Sequence, residues 1–270
     1  MKRIVLTAAL VALGSASALA ADLPPRGMYA KAPAMAAATN WSGLYIGGNV
    51  GYGWGNNSTD FSFLPTPEAL EADNNTTLGT RSSGVIGGAQ LGYNWQIGSL
   101  VTGLEADIQG SGIKGSARAI PTIRGTAIPD PTSVFSSEQK LSWFGTVRGR
   151  LGLTVTPELL LYGTGGLAYG RVDASANWFA SFADEGRLVQ SQAPASVSKT
   201  KVGWTAGAGA EWMFARNWSA KLEYLYVDLG SDSAIGEVTI DQVLHPPFAV
   251  GYTWHTRENI ARVGVNYHFN

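Results

Sequence analysis

Alternation of apolar and polar side chains with a period of two, returning along the chain from Trp41 to Phe269, constrains this protein more than any other feature. A strand points successive side chains to opposite faces, so sustained alternation specifies an extended segment with one apolar face. In 41–55, Leu44, Ile46, Val50, Tyr52 and Trp54 share one face, and Gly43, Tyr45, Gly47, Asn49, Gly51 and Gly53 share the other. The same pattern marks 84–96, 100–110, 141–154, 201–213, 218–229 and 257–269. An eighth segment, 159–172 (LLLYGTGGLAYGRV), is strand-like with either facing open.

The connections between these segments alternate in length. Those at 97–99, 155–158 and 214–217 are short, whereas about 55–83, 111–140, 173–200 and 230–256 are long. An even number of strands with short turns on one side and long loops on the other predicts an all-β fold: an eight-stranded antiparallel up-and-down transmembrane β-barrel.

Alternation alone leaves open which face points inward. On the polar face the mid-strand charges are Glu105, Asp107, Glu211 and Glu223 against Arg148, Arg150, Lys221 and Arg262, four of each sign. That balance suits a narrow lumen, where losing one partner of a buried pair costs about 3–5 kcal/mol. Glycine crowds the same face and leaves room for Arg and Tyr side chains to lie across a small bore. Aromatic residues near the segment ends (Trp41, Trp54, Trp95, Trp143, Trp212, Trp218 and Phe269) suit interfacial girdles, so the apolar face is expected to meet lipid.

The first residues point the same way. Lys2 and Arg3 precede a short apolar run over 4–13 and the small-x-small site Ala18-Leu19-Ala20. The run is well short of the roughly 20 residues a helical span needs, so 1–20 reads as a cleaved signal peptide. Residues 21–40, rich in Ala and Pro, read as a flexible periplasmic segment, leaving 41–270 as the barrel. A net charge of −1 argues against nucleic acid as a partner. The absence of cysteine removes disulfides, thiolate metal sites and cysteine nucleophiles. The expected location is the outer membrane of a Gram-negative cell, with lipid and lipopolysaccharide as surroundings.

The last segment carries Gly264, Tyr267 and Phe269 at spacings that look like the signal by which the barrel-assembly machinery recognises a terminal strand, although Asn270 follows the final aromatic. Together with 40-NWSGLYIGGNVGYGW-54, 87-GGAQLGYNW-95, 103-GLEAD-107, 162-YGTGGLAYG-170 and 223-EYLY-226, this order of motifs resembles the major outer-membrane protein family of alphaproteobacteria, with its RopB-type and hemin-binding members. The resemblance covers about 41–269. It implies an eight-stranded barrel with a structural role in the envelope, and leaves hemin binding, a porin-like path and host contact as alternatives.

Candidate chemistry is sparse. His245, Tyr252 and His255 fall in the fourth long loop, where an axial His with a nearby Tyr would capture hemin at the surface. No His-x-x-His spacing supports a metal. The lumenal carboxylates lack a neighbouring histidine or nucleophile and read as ion-pair partners rather than a catalytic acid and base. Loop 55–83 carries Asp60, Glu68, Glu71 and Asp73 against Arg81, and loop 230–256 carries Asp232, Glu237 and Asp241 with no Lys or Arg. These acids read as a solvated surface, with divalent-cation bridging to lipopolysaccharide as the alternative. The overall expectation is a non-enzymatic wall protein whose eight strands enclose a bore that side chains fill.

Overall fold

The computed structural model describes residues 40–64, 75–120 and 132–269. The signal-peptide and flexible-segment readings over 1–39 lie outside the described residues. Eight strands, β1 (Gly43–Leu64), β2 (Asn75–Ile97), β3 (Leu100–Ala119), β4 (Ser133–Thr156), β5 (Leu159–Asp184), β6 (Arg187–Ala215), β7 (Trp218–Ile240) and β8 (Val243–Phe269), pair antiparallel in chain order. Pairing of β1 with β8, from Leu44↔Phe269 to Leu64↔Ala249, closes the barrel.

The facing follows the alternation. Leu44, Ile46, Val50, Leu104, Ile108, Val147, Leu151, Leu222 and Val263 are exposed on the outside. Asn49, Gln90, Glu105, Asp107, Arg148, Arg150, Glu211, Lys221, Glu223, Arg262, Asn266 and His268 are buried within. β5 resolves its ambiguity: Tyr162, Ala168 and Val172 face in, and Leu161 and Leu167 face out.

Two expectations are corrected. The segments read as long loops are mostly strand, because alternation and ladder pairing continue far past the apolar band. A tilted membrane crossing needs about 9–11 residues, whereas β5 and β6 have 26 and 29. Their shared ladder runs without a break from Leu159↔Trp212 to Asp184↔Arg187. It ends in a two-residue turn at Glu185 (φ 46°) and Gly186 (φ 81°), the left-handed backbone that matches strand twist in tight hairpins. Asp241 (φ 47°) and Gln242 (φ 68°) turn β7 into β8 in the same way without glycine, which is why composition did not reveal it. The barrel therefore stands well above the membrane as a paired extension.

The second correction is Trp41, expected in the aromatic girdle. It is fully buried inside the lower end, where its indole N–H donates to the Pro157 carbonyl at 3.0 Å and its ring meets His268 edge-on at 5.8 Å. With Val101, Leu160, Tyr162 and Met213 it forms a floor to the lumen. Trp41 precedes β1 but keeps the parity of Gly43, Tyr45 and Gly47, so it faces inward with them rather than into the girdle.

Candidate functional site

Above the floor, the register brings the lumenal charges to one height. Glu105 lies directly opposite Arg148 across β3 and β4, and Glu223 opposite Arg262 across β7 and β8. Arg148 binds Glu105, reaches Asp107 at 3.0 Å and approaches Glu223 at 3.2 Å. Arg262 reaches Asp107 at 2.9 Å and donates through Nε to Glu223 at 2.7 Å, while Lys221 donates to both oxygens of Glu105 at 2.9 Å. Six of the eight residues singled out from sequence thus form one network spanning the bore. Arg150 and Glu211 form a direct pair of their own, nearer the floor, at 2.7 Å. Arg150 reaches Glu105, an acid of the strand it faces, only through the Tyr45 hydroxyl, to which it donates at 3.1 Å.

Neutral groups complete the coordination. The Tyr45 hydroxyl donates to Glu105 at 2.6 Å and that of Tyr162 to Glu223 at 2.8 Å, while the Arg150 guanidinium lies 4.0 Å above the Tyr162 ring. Ser219 and Asn266 donate to Glu211 at 2.6 and 2.7 Å, and His268 Nε2 is 3.4 Å from it. Glycine provides the space: a Cβ on Gly92 would lie 2.3 Å from the Tyr45 ring, and one on Gly209 would lie 2.5 Å from the Tyr162 hydroxyl. Fixed in this way, each carboxylate is an acceptor for cations and hydroxyls; Ser219, which also lies 2.9 Å from His268 Nε2, is spent as a buried donor to Glu211. Such a network fills and stiffens the bore.

Sequence reasoning missed three parts of the lumen. An apolar layer of Ile86, Ile113, Leu141, Phe144, Val172, Leu225, Val227 and Ile260 lies above the ionic one. Higher still, Glu258 is buried, accepting from Ser82 at 2.7 Å and Asn57 at 2.9 Å, with no cation within 4 Å among the described residues. Its signal was available: Glu258 shares parity with Arg262, so its side chain had to face in. A second apolar layer then covers Glu258, built around Phe61, Phe135, Tyr252 and Trp254, with Phe61 and Phe135 ring centroids 4.4 Å apart.

The three residues considered for hemin are not brought together. Tyr252 faces into the lumen, donating its hydroxyl to the Ala193 carbonyl and accepting from the Trp178 N–H at 3.1 Å. Burial pushes its phenol up from the usual tyrosine range, opposing the phenolate that an axial ligand would supply. His255 lies on the opposite face of β8, 3.1 Å from Asp60, and His245 is exposed near the β7–β8 turn. The terminal-strand residues occupy both faces of the closing seam. Tyr267 and Phe269 form an outward aromatic pair 5.0 Å apart beside Trp218, while Gly264 faces in against β1, where a Cβ would lie 2.9 Å from the Gly48 carbonyl oxygen.

The family model and the sequence relatives agree with this architecture. The family model described as outer membrane protein beta-barrel domain matches residues 6–269. The chain is 38% identical over its full length, and over the full length of the relative, to the 31 kDa outer-membrane immunogenic protein of Brucella melitensis. It is 33% identical, over 72% of this chain and 67% of the relative, to the 22 kDa outer membrane protein of Rhizobium leguminosarum bv. viciae. Among solved structures, it is similar to OprG from Pseudomonas aeruginosa at 11% identity and a TM-score of 0.45, over 86% of this chain and 99% of that one. With the family model covering nearly the whole chain and a full-length relative at this identity, the chain belongs to the outer membrane protein β-barrel family and to its alphaproteobacterial branch of Brucella and Rhizobium outer-membrane proteins.

Proposed function

We propose that this outer-membrane barrel is a sealed, non-catalytic wall that contributes to envelope integrity and carries a tall paired extension to the cell surface. The observation that supports this reading is the layered filling of the bore. The Trp41 floor, the ionic network and two apolar layers lie in series along the axis, and an ion path would have to cross them all. Eight strands leave an interior only wide enough for side chains, and here buried side chains occupy it at every level. The terminal strand, with Tyr267 and Phe269 outward, is the segment we assign to recognition by the assembly machinery.

The test is removal of the protein from its own bacterium. Expected outcomes are greater entry of detergent and lysozyme and greater shedding of membrane vesicles, all reversed by the intact gene. An unchanged envelope in the deletion strain would overturn the structural reading.

A further inference from the structure

The apolar outer wall ends in a belt of cations. Moving up the outward-facing positions of each strand, the first basic residue is Arg81 on β2, Lys114 on β3, Lys140 on β4, Arg171 on β5 and Arg257 on β8. The belt lies just beyond Trp54, Trp143 and Tyr169, aromatic residues at the top of the lipid-facing band. At that height a membrane protein meets lipid headgroups.

The belt has two kinds of sector. Arg171 and Arg257 have acids of their own, Asp173 at 3.5 Å and Asp228 at 3.1 Å. On β2 to β4, by contrast, Arg81, Lys114 and Lys140 have no carboxylate within 4 Å among the described residues. Lys114 and Lys140 are direct cross-strand partners, an arrangement in which like charges repel. Asp173, opposite Lys140, is already engaged by Ser142 and Ser198 as well as Arg171, and these two hydroxyls, Ser198 foremost, hold its carboxyl below the usual range. The three cations line one open groove of about 780 Å³ together with Ser116, Ser198 and two acids, Glu138 and Asp173. Beneath it the outward positions include Gly87, Gly110 and Gly112, which leave a shallow depression in the lipid-facing wall.

We infer that the β2–β4 sector is a docking site for one lipopolysaccharide molecule of the outer leaflet, its anionic base held by Arg81, Lys114 and Lys140 and its acyl chains lying over the glycine depression. Charge complementarity carries the assignment. An anion between Lys114 and Lys140 turns a repulsive pair into a chelate, and the outer leaflet presents lipopolysaccharide to this face. The inference goes beyond the sealed-wall reading and does not depend on it, since a conducting barrel would dock the same lipid.

The test uses the full-length protein refolded in neutral detergent, with thermal unfolding followed by the heat-modifiable gel shift and bound lipid counted by native mass spectrometry. The probes are lipopolysaccharide from the source bacterium and, separately, phosphatidylglycerol. Lipopolysaccharide is expected to raise the unfolding temperature and remain bound at one copy. Arg81→Ala/Lys114→Ala/Lys140→Ala is expected to weaken that binding at least tenfold, whereas Arg171→Ala/Arg257→Ala leaves it unchanged. The single variant Lys114→Gln provides a check independent of the triple variant's folding. Without lipid it should unfold at the same or a higher temperature than the parent, because a repulsion is gone; with lipopolysaccharide it should unfold lower. Equal binding by the triple variant and the parent would overturn the site. Equal stabilisation by phosphatidylglycerol would overturn lipopolysaccharide as its occupant.

Discussion

The lower and upper halves of the lumen hold the same kinds of residue under different rules. Below, every carboxylate has a cation: Glu105, Asp107 and Glu223 share Arg148, Lys221 and Arg262, and Glu211 has Arg150. Above, Glu258 has only the amide of Asn57 and the hydroxyl of Ser82, between two apolar layers. The lower half shows how a narrow bore accepts charge, by matching it. The upper half shows that where strands leave the membrane the barrel is closed by ordinary hydrophobic packing. Buried ionisable groups are few there: Glu258 is held by neutral donors, and Lys201 reaches Asp232 at 3.3 Å.

Substitutions sharpen the contrast. Arg148→Ala leaves Glu105, Asp107 and Glu223 short of a partner in a buried network, so it should destabilise the folded barrel by about 3–5 kcal/mol in urea titrations read by gel mobility. Phe135→Ala, in the upper apolar layer, removes a buried ring of comparable importance, costing about 3–5 kcal/mol. That loss should fall on the extension: protease cleavage above the membrane increases while the midpoint for the membrane-embedded wall moves little, because local opening draws on the less stable region. Two isosteric changes then compare the halves directly. Glu105→Gln removes a paired charge and should cost about 3 kcal/mol, leaving Lys221 and Arg148 undercompensated. Glu258→Gln removes an unpaired one and should leave stability within about 1 kcal/mol of the parent, or raise it. A large loss in Glu258→Gln would mean that the upper half also runs on charge. The smallest effect is expected for Gly186→Ala, about 1 kcal/mol at a left-handed turn position, seen as faster hydrogen exchange confined to the β5–β6 tip.

This difference also decides what was legible in the sequence. The lower half could be read because its alternation is strict and its charges are extreme: Glu105, Asp107, Arg148, Arg150, Glu211, Lys221, Glu223 and Arg262 all face inward as their parity requires. Which acid meets which base was not legible, since that depends on register, and Arg150 reaches Glu211 rather than an acid of β3. The upper half was read as loop because its inward residues are small or mildly polar, such as Ala174, Ala176, Ser137 and Thr59, and give weak contrast with Ser175 or Glu138 outside. Trp41 shares the inward parity of Tyr45 and Asn49, so alternation itself places it in the lumen; only its position at a segment end suggests the girdle. The basic belt was hidden for a related reason. Arg81 counts among the acids of an expected loop, and only the register shows it one outward step beyond Ser83, the residue opposite Lys114.

The central claim, that the bore is sealed, is tested most directly by planar-bilayer recording of the refolded full-length protein. The layered lumen implies an electrically silent barrel, with no steady ohmic steps at moderate voltage even when gel mobility shows the protein folded. Steady, reproducible single-channel steps from folded protein would contradict it.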